Sequence, residues 1–139
     1  MNSKPVWKIE KIVLPQHADH SGVMWHGTYF NWLEEARIYA LNEVGINYLE
    51  LTKKGFELPL IESSIKYIKP VYLGNEITVE SLFNVSKSPK INIHSKFINK
   101  NKIIMSIAEV NLVLVNKTNF SLIRKRPDFL SKALNKLNG

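Results

Sequence analysis

Hydrophobic and polar positions along this chain alternate, then spiral, then alternate again. Over residues 6–14, Val6, Ile12 and Leu14 share one parity and Trp7, Ile9 and Val13 the other, which predicts a strand ended by Pro15. A polar loop, residues 16–22, follows. From about residue 28 to residue 44 the spacing turns helical: Leu33, Ala36, Ala40, Leu41 and Val44 fall on one face, with Tyr29 and Phe30 a turn earlier. Glu34 and Glu35 lie in the N-terminal half of this helix, where acids suit the dipole, and Gly45 suits the position that stops it. Residues 48–54 predict one or two further helical turns, closed by Gly55.

Beyond Gly55 the period falls to two. Residues 58–69 predict a strand closed by Pro70. Residues 76–86 alternate, with Ile77, Val79, Phe83 and Val85 on one face, and residues 91–98 place Ile91, Ile93 and Phe97 together. The turn at residues 99–102 predicts a hairpin into a long strand, residues 103–115. That strand is apolar on both parities in part, which predicts a central strand covered on both faces. After a second turn at residues 116–119, Pro127 opens a short helix carrying Phe129, Leu130, Leu134 and Leu137. The order of elements predicts an α+β fold, an antiparallel sheet of five or more strands with the long helix on one face. Neither repeats nor linkers interrupt it, so residues 1–139 are expected to form one domain.

Composition narrows the function classes. Cysteine is absent, which removes disulfides, thiolate ligands and a cysteine nucleophile. The N-terminus, Met1-Asn2-Ser3-Lys4-Pro5, has no apolar stretch after its charge, and no run approaches the roughly 18 residues of a membrane span. A cytoplasmic location with no membrane span is expected. The formal charge is +7, nearly all from lysine; the arginines are Arg37, Arg124 and Arg126. Such a surface attracts nucleic acid, anionic lipid or a phosphorylated small molecule. Lysine, asparagine and isoleucine are abundant together, as an AT-rich genome would give, which discounts much of that charge. Nucleic acid ranks last, because no helix or aromatic strand motif carries matching basic residues.

The candidate chemistry concentrates just before the long helix. Asp19 stands in the polar loop, Gly22 follows it, and the loop runs into a helix start where backbone N–H groups lack partners. A carboxylate beside such donors can attack or deprotonate at a carbonyl whose oxygen the donors hold. The alternative is an Asx-turn residue that merely shapes the loop. His17, His20 and His26 with Asp19 raise a metal site, but their spacing matches no zinc pattern and crowds ligands on one loop, so no metal and no cofactor are expected. His17 or His20 can instead hold or tune Asp19. Glu34 or Glu35 is a possible second carboxylate, and Arg37 is placed to pair with Glu34.

The segment from Asp19 to Arg37, with Pro59 to Ile77 after it, resembles the hotdog-fold acyl-CoA thioesterases. It is most similar to the 4-hydroxybenzoyl-CoA thioesterase branch and its Tol-Pal-associated relatives, whose motif reads Asp-x-Asp-x-x-Gly-x-Val-x-(His/Tyr)-x-x-Tyr. The resemblance implies a hotdog fold, in which the sheet wraps the long helix, and a homodimer or homotetramer with sites between subunits. It places the catalytic aspartate on Asp19, as nucleophile or general base. It places the carbonyl-polarising backbone N–H on His26, to which the neighbouring Gly27 N–H adds. Gly22, Trp25 and Tyr29 fall on substrate-pocket positions. Three neighbours depart from the motif: its first acid is His17 here, the residue after the aspartate is His20, and the Asn often found before the tyrosine is Thr28. For the phosphates of coenzyme A, the candidates are Lys87, Lys90, Arg124 and Arg126, with Lys96 and Lys125 nearby; a solvated basic face is the alternative for each.

The resemblance implies an acyl-CoA thioesterase. A thioesterase acting on acyl carrier protein, or one hydrolysing 1,4-dihydroxy-2-naphthoyl-CoA, are the enzymatic alternatives. An acyl-CoA-binding sensor is the non-enzymatic one, and it would not need Asp19. A hotdog dehydratase is disfavoured because its His-x₄-Pro-Gly signature is absent.

Overall fold

The computed structural model describes residues 4–138. Its centre is a five-stranded antiparallel sheet in the order β1-β4-β5-β6-β3, where β1 is Trp7–Ile12, β3 Leu60–Tyr67, β4 Glu76–Val85, β5 Lys90–Asn99 and β6 Ile104–Val113. The long helix α1, His26–Glu43, lies on one face of this sheet. Two short helices, α2 (Tyr48–Lys53) and α3 (Asp128–Asn138), and a two-stranded ribbon of β2 (Phe56–Glu57) with β7 (Val115–Asn116) complete it. Among the described residues no helix is long and apolar enough to cross a membrane.

The alternation written in the sequence becomes burial. Ile77, Val79, Phe83 and Val85 of β4 and Ile91, Ile93 and Phe97 of β5 are buried against Trp32, Leu33, Ala36, Ala40 and Leu41 of α1. Each such side chain contributes about 1.5–3 kcal/mol when fully removed from water. Two hydroxyls intrude on this core, Ser81 and Ser95, and they satisfy each other at 2.8 Å. At the other end of the sheet α3 buries Leu130, Leu134 and Leu137, and the Trp7 indole N–H donates to the Leu137 carbonyl at 3.2 Å.

Three expectations change. The helix begins two residues earlier than its apolar face suggests, at His26, because Trp25 is its N-cap. Strand β3 stops at Tyr67, and the N–H groups of Ile68 and Lys69 both donate to the Met105 carbonyl, at 3.0 and 2.9 Å, so two residues oppose one in a bulge. Strand β6 is not covered on both faces: Met105, Ala108, Val110 and Leu112 are buried, while Ile104 and Ile107 are exposed. Its two-sided apolar character lies beside β3, one of the two edge strands of the sheet. Seven of the eight β3 residues are exposed, among them Leu60, Ile61 and Tyr67.

Candidate active site

The loop before α1 is a tight hairpin tied to the rest of the chain at both ends. Asp19 N–H donates to Val23 carbonyl at 2.8 Å and Gly22 N–H to Asp19 carbonyl at 3.0 Å. Gly22 takes φ +76, a backbone region in which a side chain is strained. The hairpin is stitched to the segment after the bulge: Met24 N–H donates to Val71 carbonyl at 2.7 Å and Leu73 N–H to Gly22 carbonyl at 2.9 Å. The Asp19 carboxylate accepts through Oδ1 from the N–H groups of Ser21 (2.8 Å) and Val23 (3.2 Å). This is an Asx-turn, and it holds the carboxylate orientation while Oδ2 has no protein partner among the described residues.

The helix start presents donors. Thr28 N–H is taken by the Trp25 carbonyl at 2.9 Å, and Trp25 N–H by the His17 carbonyl at 2.9 Å. The N–H groups of His26 and Gly27 have no partner among the described residues. A Cβ on Gly27 would lie 2.2 Å from the Trp25 ring, so a larger residue there would have to displace that ring. Trp25 is itself half-exposed and packs on the His26 ring at 5.1 Å.

A cleft of about 340 Å³ opens at this point, lined by Val23, Met24, His26, Tyr29, Tyr67, Ile68, Lys69 and Pro70. Tyr29 is buried and packs edge-on against Tyr67 (5.0 Å) and Phe97 (5.1 Å). Burial pushes the Tyr29 hydroxyl above its ordinary pKa, so it stays a neutral hydrogen-bonding group. Of the residues singled out from the sequence, His26 and Tyr29 line the cleft; Asp19, Gly22, Trp25 and Gly27 flank it on the same loop and helix turn. Tyr67, the last residue of β3, and Ile68 and Lys69 just after it had no role assigned from the sequence; beside the bulge at Met105 they form the cleft wall.

The basic candidates gather elsewhere. Both terminal nitrogens of Arg126 donate to backbone carbonyls of the β4–β5 turn, Ser86 at 2.7 Å and Ser88 at 2.6 Å. Lys90 lies 3.7 Å from Glu62, while Lys87 and Arg124 are exposed with no ion-pair partner among the described residues. Lys90 pairs with Val113 across the sheet, whereas Tyr67 of the cleft pairs with Ser106. Those positions lie seven residues apart on β6, roughly 23 Å at about 3.3 Å per residue. On the helix, Glu34 holds Arg37 at 3.4 Å and Glu35 holds Lys11 at 2.9 Å. Among the described residues, no three His, Asp or Glu side chains converge as metal ligands would.

Residues 21–84 match the Thioesterase superfamily. A Synechocystis protein named as an esterase is 38% identical over 68 residues, covering 49% of this chain and 41% of its own length. The chain spans about half the length of the curated relatives it matches. A Synechocystis 1,4-dihydroxy-2-naphthoyl-CoA thioesterase superposes with a TM-score of 0.87 at 17% identity, over 97% of this chain and 99% of its own. A Staphylococcus aureus protein solved in complex with CoA superposes with a TM-score of 0.88 at 15% identity, over 99% and 87%. At such identities the superpositions establish the fold. The fold is thus the hotdog fold, and the segment around the long helix is similar to the thioesterase superfamily.

Proposed function

We propose that the protein hydrolyses an acyl-CoA thioester to the free acid and coenzyme A. The observation that supports this reading is that a hydrogen-bonded loop carrying Asp19 leads directly into a helix start whose His26 and Gly27 N–H groups are unpartnered among the described residues, with His26 lining an aromatic cleft. The N–H groups hold the thioester oxygen as it gains negative charge; removing one such contact typically costs about 10²–10³ in rate. Asp19 activates water, or attacks and is released from the resulting anhydride by water. In either route a C–O bond to the carbonyl carbon replaces the C–S bond. The water proton ends on the departing sulfur.

The separation of the cleft from the basic turn points to two copies. A single chain leaves β3 open, and its exposed Leu60, Ile61 and Tyr67 are what such an edge would bury against a partner. Antiparallel pairing of β3 with its copy would bring the partner's basic end beside this chain's cleft. Lys87 and Arg124 would then meet the phosphates of a coenzyme A whose thioester lies at Asp19. Arg126 would act by holding the turn.

Tyr29 and Tyr67 suit a flat acyl group, which puts 1,4-dihydroxy-2-naphthoyl-CoA among the substrates to test. An acidic acyl carrier protein would suit the same basic end. The deciding experiment is a thioester panel of benzoyl, dihydroxynaphthoyl and short to long acyl-CoA, with acyl carrier protein esters, followed by free thiol release. Hydrolysis of a CoA ester is expected. Tight binding without turnover would replace the enzyme by a sensor, and turnover of carrier-protein esters alone would change the substrate class.

A further inference from the structure

His17 joins three parts of the molecule. Its Nδ1 accepts the Leu14 N–H at 3.0 Å, at the exit from β1. Its carbonyl accepts both the Trp25 N–H and the Thr28 hydroxyl, each at 2.9 Å, at the start of α1. Its ring meets the buried Trp32 ring edge-on at 5.3 Å, inside α1. Two residues on stands Asp19. We propose that His17 is a positioning residue that works only as the neutral imidazole, whose unprotonated Nδ1 fixes the Asp19 loop against the helix start.

The chemistry is one of donors and acceptors. The Leu14 N–H needs an acceptor, so Nδ1 must be bare and the ring proton must sit on Nε2. The Gln16 amide lies 3.4 Å from Nε2, where its oxygen end can take that proton once turned inward. A second proton on the ring makes Nδ1 a donor facing a donor. The contact then opens, leaving the His17 N–H on the Leu14 carbonyl at 2.8 Å as the one tie between the two residues, and loosens the residue whose carbonyl seats Trp25 and Thr28. The ionisable groups on the elements packed against the ring are Lys11 of β1 and Glu35 of α1, ion-paired at 2.9 Å with Lys11 over the Trp32 ring, and its own loop carries Asp19 and His20. The Asp19 Oδ1 is engaged by Ser21 and Val23, and Lys11 by Glu35, so neither replaces Nδ1 as the Leu14 partner.

This inference rests on the proposed hydrolysis for its kinetic consequence, so its test has an arm that does not. The kinetic arm compares pH profiles of kcat/KM for the wild type, His17→Asn and His17→Ala. Asparagine offers Oδ1 where histidine offers Nδ1, and it does not titrate. The wild type should lose activity on acidification, as a second proton on the ring turns Nδ1 from acceptor to donor. His17→Ala should lose about tenfold or more at every pH. His17→Asn should recover most of that loss at pH 8 and move the acid fall at least one pH unit lower. An acid limb unchanged in His17→Asn would overturn the proposal. The second arm is ¹⁵N NMR of the ring and of the Leu14 amide in the wild type. Neutral His17 should show a bare Nδ1, and its protonation should shift the Leu14 amide; a proton on Nδ1 in the neutral ring would overturn the proposal. If no thioester is cleaved, the hydrolase reading fails and the NMR arm alone decides the role of His17.

Discussion

The two ends of the sheet are built for different work. At the end where β3 leaves and α1 begins, the chain is dense with backbone hydrogen bonds and aromatic contacts, with Asp19 on the loop and Lys69 at the cleft wall. At the far end, around the β4–β5 turn, side chains are polar and basic and the backbone is held by Arg126. Rigidity is concentrated where a carbonyl would need fixed donors, because preorganised dipoles lose no energy to reorientation as charge develops. Attraction is concentrated where a flexible, charged carrier would need only a field. On the proposed reading, each end supplies one part of a site that two copies complete.

The largest effect is expected at the rigid end. Asp19→Asn keeps the Asx-turn acceptor but removes base and nucleophile, so kcat should fall by about 10²-fold or more with the thermal transition unchanged. Near-normal turnover in a folded variant would strip this end of its assigned chemistry. Next comes the joint between the two ends. Ile61→Lys on the open β3 edge should weaken self-association by roughly 10- to 100-fold, the equivalent of about 1.5–3 kcal/mol for one buried isoleucine. Sedimentation would show monomer, and activity should fall with it; a fully active monomer would mean that each chain is complete. A smaller effect is expected at the basic end. Lys87→Ala with Arg124→Ala should raise KM for acyl-CoA several-fold and leave kcat alone, since such contacts are equal in ground and transition states. A pantetheine thioester without nucleotide phosphates should not notice the change.

The smallest effect lies away from both ends, at the contact of α2 with β2. The Tyr48 hydroxyl donates to Glu57 at 2.6 Å, and this bond, more than burial, pushes its pKa up to about 12 from about 10. A raised acid pKa means that the protonated form is the one the fold favours. The stabilisation is therefore complete below about pH 10 and lost as pH rises toward 12. The gap in urea midpoint between wild type and Tyr48→Phe should stay constant up to about pH 10 and close above it. A gap that widened there would mean that the contact is made by the phenolate.

Much of this was legible in one dimension. The inner faces of β4 and β5 follow from strict alternation, and α1 from its apolar spacing, because burial on one face leaves a period that no other element shares. The pairing of Glu34 with Arg37 follows from helical geometry alone. Strand β6 misled for a physical reason. Exposed Ile104 and Ile107 beside an open edge look, in sequence, like the second face of a central strand, since apolar character records what a surface buries and not which molecule buries it. The cleft wall at Tyr67, Ile68 and Lys69 was not legible at all, because a bulge is set by the partner strand.

By itself, then, the sequence determined the α+β class, the inward faces of its strands, and the loop on which an acid precedes a helix start. These depend on local propensity and on the period of burial, which neighbouring residues carry. Only the tertiary structure decided that Arg126 serves the β4–β5 turn, that Lys90 stands roughly 23 Å along β6 from the cleft, and that His17 ties Leu14 to the start of α1. Each of those is a matter of which distant partner a polar group meets, and strand register and loop closure settle that only once the chain is folded.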